Sequence, residues 1–74
     1  MITYEKARKL ALEMDPEVDR CSEWDHAWSF IAKRKRFSLS DPAIFVLKEN
    51  GEIVNGMWYS MEYPEDRVQK ENDL

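Results

Sequence analysis

The chain has one cysteine, one histidine and two glycines in 74 residues, and its longest uninterrupted apolar run is Ala43 to Leu47. Each scarcity excludes something. Cys21 has no second cysteine for an internal disulfide, and Met1-Ile2-Thr3-Tyr4-Glu5-Lys6 lacks the basic-then-apolar pattern of a secretory leader. The expected compartment is therefore a reducing cytoplasm. A five-residue apolar run is far too short to span a bilayer, so no membrane association is expected. Gly51 and Gly56 stand in no phosphate-binding pattern, which leaves nucleotide binding without support.

Catalysis is equally poorly provided for. A hydrolase or transferase needs a nucleophile beside a base, or paired carboxylates in a cleft. The only histidine, His26, falls in an expected turn, where a solvated residue is the simplest reading. Cys21 and His26 could face each other as a thiol–imidazole pair, yet no glycine-rich strand-to-helix turn supplies an oxyanion hole. Cys21, Asp25 and His26 form the one candidate metal cluster, short of the four strong ligands of a structural zinc site. The expectation is a protein that is not an enzyme and holds no cofactor and no metal.

Eleven Lys and Arg against fifteen Asp and Glu give a formal charge of −4, which repels phosphate backbones at long range. The exception is the run Lys33-Arg34-Lys35-Arg36. It reads as a solvated loop or strand end, or as a patch for docking onto an acidic protein surface. Opposing it are acidic stretches over residues 13–19 and 62–73, so the surface is expected to be polarised.

What is present specifies a fold. Apolar residues are 43% of the chain, and three Trp, three Tyr and three Phe suffice for one small core. A domain of this size buries about 60% of its unfolded surface. From Thr3 to Met14, Tyr4, Ala7, Leu10, Ala11 and Met14 recur at spacings of three and four, predicting an amphipathic helix with Thr3 as N-cap and Asp15-Pro16 as its stop. Residues Val18 to Trp24 and Ala27 to Ala32 predict a hairpin around Trp24-Asp25-His26. Residues 37–42 suit a connecting loop. Ala43 to Leu47 reads as a central strand, and Asn50-Gly51 predicts a tight type I′ hairpin. Met57, Trp58 and Met61 fit one face of a short helix, although alternation of Met57, Tyr59, Met61 and Tyr63 also fits a strand. The helix is favoured.

The fold class is thus α+β, an N-terminal helix packed on an antiparallel sheet of about four strands with a short C-terminal element. One domain occupies residues 1–63, and residues 64–74 form a charged, frayed tail. Most of Trp24, Trp28, Phe30, Phe45 and Trp58 should be core. One helix covers only one face of such a sheet, so the opposite face is expected to remain as an apolar interface for a partner or for self-association as a homodimer.

The start Met1-Ile2-Thr3-Tyr4-Glu5-Lys6-Ala7, the strand around Trp28-Ser29-Phe30, the strand and turn from Ala43 to Val54, and Tyr59-Ser60-Met61-Glu62-Tyr63 resemble the YrhB-type immunity-protein family. The resemblance spans roughly residues 1–63. It implies a small bacterial α+β protein, in some cases from a polymorphic-toxin locus, acting by binding another protein, a toxin or effector. It carries over no catalytic residue. This chain departs from the family in its basic run at residues 33–36 and in the Met- and Trp-rich segment after Gly56.

The expected activity is that of a non-enzymatic protein covering a partner's surface, with Arg34, Lys35 and Arg36 for electrostatic docking and Trp58, Tyr59 and Tyr63 as aromatic anchors. Two alternatives stand beside it. One is a phage-type, anti-CRISPR-like inhibitor of a nucleic-acid-handling effector, which needs Glu62, Glu65, Asp66, Glu71 and Asp73 ordered on one face. The other is a nucleic-acid binder using residues 33–36, whose affinity would fall steeply with salt.

Overall fold

The computed structural model describes residues 1–32 and 43–74. The basic run, with Arg34, Lys35 and Arg36, and the expected loop at 37–42 lie outside the described residues. The order of elements is α1 (Tyr4–Met14), β1 (Arg20–Trp24), β2 (Ala27–Ile31), β3 (Ile44–Leu47), β4 (Ile53–Val54), α2 (Gly56–Glu62) and β5 (Val68–Asp73). The five strands form one antiparallel sheet in the order β4-β3-β2-β1-β5. The architecture is α+β, with a helix on each face.

α1 begins where Thr3 accepts the Lys6 amide at 3.2 Å, which satisfies one of the amides a first helical turn leaves free. It stops at Asp15, whose N–H still reaches the Ala11 carbonyl at 2.9 Å and whose carboxylate accepts the Glu17 amide at 3.0 Å across Pro16. Ala7 and Ala11 are fully buried. Two small residues on the contact face let the helix settle close to the sheet, above Val18, Cys21, Trp28, Phe30 and Val46.

The sheet register separates the two faces. Cys21 pairs with Phe30, and Phe30 with Ile44, in one row; Glu23, Trp28, Val46 and Ile53 form the next. These rows lie under α1. The alternate rows, Ser22-Ser29-Phe45-Val54 and Ala27-Leu47, point the other way. There α2 covers part of the sheet, and Tyr59 closes a second cluster with Ala27, Phe45 and Leu47. The expectation of a bare second face is corrected accordingly. A seven-residue helix is enough, because Asn55 caps it by accepting the Trp58 amide at 2.7 Å and Tyr59 spans the gap to the strands.

Two local expectations also change. Among the described residues only Gly51 has positive φ, at 76°, so the β3–β4 connection is not a type I′ turn. It is a four-residue loop closed by Leu47 N–H to Glu52 O at 2.9 Å and Gly51 N–H to Leu47 O at 2.8 Å. The Asn50 side chain accepts the Glu52 amide at 2.9 Å instead of Asn50 adopting a left-handed backbone. The frayed tail is corrected too. Residues Val68–Asp73 pair with β1 along its length, with a bulge between Glu23 and Trp24. Every β5 side chain is exposed, so the strand is held by its backbone ladder and polar ties, Arg20 to Asp73 at 3.5 Å and Ser22 to Glu71 at 3.3 Å.

Candidate protein-interaction site

The β1–β2 turn and α2 meet on the second face and build a polar network around Asp66. The Asp66 carboxylate receives the Tyr59 hydroxyl and the His26 backbone amide, the latter at 3.1 Å. The His26 ring nitrogen Nδ1 stands 2.9 Å from one of its oxygens and 3.1 Å from the other. The same His26 amide also reaches the Tyr59 hydroxyl oxygen at 3.1 Å. Asp66 is buried, with a side chain only 7% exposed, while that of His26 is 55% exposed. The carboxylate thus fixes an imidazole that solvent can reach.

Burial alone would raise the Asp66 carboxyl, but hydrogen bonds from Tyr59 and His26 outweigh it and hold it below its ordinary value. The Tyr59 phenol is pushed up, first by burial and then by donating to that carboxylate. Both shifts favour the same arrangement, a neutral phenol donating to an ionised carboxylate. Cys21 plays no part in it. Its thiol lies in the α1-side cluster, where burial, with a smaller effect from Glu23, pushes it up to about 12. An un-ionised thiol is a poor nucleophile and metal ligand. Cys21 lies in the α1-side cluster and the His26 ring on Asp66, so the thiol–imidazole pair that the sequence left open is not formed, and among the described residues no group of three or more His, Cys, Asp or Glu is arranged to hold a metal ion.

Around this fixed centre runs an aromatic row. The Tyr63 ring stacks on His26 with centroids 4.4 Å apart and planes 16° apart, and Trp58 meets Tyr63 edge-on at 6.5 Å. Trp58 is 39% exposed, and Met57 and Met61 beside it are 73% and 76% exposed. The expected anchors thus divide. Trp58 and Tyr63 come together at the surface. Tyr59 is 1% exposed and offers nothing to a partner; it stacks on Phe45 at 4.8 Å and supports the row from behind. Tyr63 caps the end of α2, half-buried against the same cluster, so part of its ring stays at the surface while Tyr59 lies beneath the helix.

Sequence reading missed His26 and Asp66 as members of the site. They are 40 residues apart and join only when β5 closes on β1, so no local spacing announces them. Of the carboxylates expected to share an acidic face, Asp66 is turned inward, while Glu62, Glu65, Glu71 and Asp73 are exposed. Trp28, Phe30 and Phe45 are buried as expected, with Trp24 partly so and Trp58 exposed. No described helix is long and apolar enough to cross a membrane. No protein-family model, curated protein sequence or solved structure matches the chain.

Proposed function

We propose that this chain is a non-enzymatic binding domain that works by covering a surface of a partner protein, in the manner of an immunity protein covering a toxin or effector. The observation that carries this reading is the exposed face of α2. Trp58, Met57 and Met61 project from a helix whose opposite side is locked by Tyr59, and Tyr63 extends the face onto His26. Rigid aromatic side chains lose little conformational freedom on association and dominate interface energetics, and methionine adapts to irregular partner surfaces. Exposed methionines and a tryptophan on a helix of a small domain are otherwise a solubility liability.

Trp58→Ala tests the reading. A tagged wild-type chain captures its partner from cells, and Trp58→Ala, with an unchanged circular dichroism spectrum, captures that protein at least about 30-fold more weakly, the loss of an anchor worth about 2 kcal/mol. Equal capture by the two chains would overturn the assignment.

A further inference from the structure

β5 is the least anchored strand of the sheet, and the candidate site depends on it. All six of its side chains are exposed, and among the described residues no strand pairs with its outer edge. Its order comes from the ladder with β1 and from the ties Arg20–Asp73 and Ser22–Glu71. A strand without a buried side chain opens at a fraction of the cost of global unfolding. Yet this end of the chain fixes the β1–β2 turn at two points, through Asp66 on His26 and through the Gln69 side chain donating to Asp25. His26 in turn carries the stacked Tyr63 ring, which meets Trp58.

We infer that residues 66–73 form a strap that opens from β1 and from the β1–β2 turn while the rest of the domain stays folded, and that its closure orders His26 and Tyr63 in line with Trp58 for the partner. The inference rests on the protein-binding reading above and supplies its regulation. In the open state Asp66 no longer holds the imidazole, so the Tyr63–His26 stack loses its fixed support. A partner that needs the ordered row selects the closed strap, and by linkage its binding suppresses opening. Cys21 reports the motion. It is 3% exposed, the register sets Asn72 opposite it, and Asn72 and Lys70 form one wall of the groove in which it lies. The Leu74 N–H on the Asp19 carbonyl at 2.9 Å starts the β1–β5 ladder, and the alternation of an antiparallel pair then aims the Asn72 N–H at Cys21. Proline at that position removes a rung.

Two measurements on the full chain test the strap. In native-state hydrogen exchange at rising urea, the Lys70 and Asn72 amides should exchange through an opening that depends weakly on urea, and amides between β2 and β3 through one that depends on it as global unfolding does. Alkylation of Cys21 by iodoacetamide, read by intact mass, should run about tenfold faster in Asn72→Pro and about threefold faster in Gln69→Ala. The protein that the tagged chain captures, at saturation, should slow alkylation of the wild type about tenfold. Ladder amides that follow the global urea dependence in the wild type, or alkylation unchanged in both variants, would overturn the inference. The two proposals fail separately. A strap that opens in a chain whose capture ignores Trp58→Ala refutes the aromatic face and leaves the strap, whereas a Trp58-dependent complex alkylated as fast as the free chain refutes the regulation alone.

Discussion

The two faces of the sheet are closed by different means. Under α1 the contact is nearly all hydrocarbon and aromatic ring, with two alanines setting the distance and Phe30 and Val46 fully buried. Under α2 a seven-residue helix closes a smaller cluster, and a buried carboxylate and phenol take the place that further apolar side chains hold on the other face. Hydrocarbon contact is non-directional and stabilises in proportion to area, whereas a hydrogen-bonded network fixes orientation at little net gain. The first face keeps the domain folded. The second holds Trp58, Tyr63 and His26 in fixed positions at the surface.

The sharpest contrast should come from Phe30 and Trp58. Phe30→Ala removes a fully buried ring from the α1 side and is expected to cost about 3–5 kcal/mol in urea unfolding, enough to unfold most of a marginal domain. Trp58→Ala should cost clearly less, about 1–2 kcal/mol, because 39% of the residue is already exposed. Comparable losses would erase the distinction between a stabilising and a presenting face.

Asp66→Asn comes next, at about 1–3 kcal/mol, since it leaves the donors from Tyr59 and His26 without their charged acceptor. Its pH dependence follows from the depressed folded-state value. The stabilisation is complete above the ordinary carboxylate value of 3.8 and is lost as pH falls through the lower folded-state value. Wild-type stability should therefore drop more steeply than that of Asp66→Asn below about pH 4, and parallel acid profiles would show that the network does not hold this carboxylate ionised.

The smallest effects concern the caps. Thr3→Ala on the α1 side and Asn55→Ala on the α2 side should each cost about 1 kcal/mol by thermal melting. They should differ in consequence, because Asn55 sets the start of the helix that presents Trp58. Asn55→Ala should weaken partner capture and Thr3→Ala should not.

The α1 face was the more legible of the two in sequence. Its helix shows the three-and-four spacing, a threonine cap and an Asp-Pro stop, and β1, β2 and β3 show β-prone runs, all of them short-range signals. On the α2 side only the helix itself was legible. Met57, Trp58 and Met61 share one helical face, as their spacing predicts, but that face points outward, and Tyr59, expected among the anchors, points in. β5 leaves almost no apolar signal, because its side chains are all exposed and the strand is held by its backbone ladder with β1 and by polar ties to Arg20 and Ser22. The Asn50-Gly51 pair marked a hairpin correctly but not its geometry, since the Asn50 side chain completes the loop without a left-handed backbone. The network at Asp66 depends on contacts across 33 and 40 positions, which no periodicity encodes.

The central claim is that the α2 face is where a partner sits. Hydroxyl-radical footprinting of the chain, alone and in complex with the protein it captures, measures this side chain by side chain. Oxidation of Met57, Trp58 and Met61 should fall several-fold in the complex, with residues on the outer surface of α1 unchanged. Unaltered oxidation at all three, with protection appearing on α1 instead, would contradict the claim.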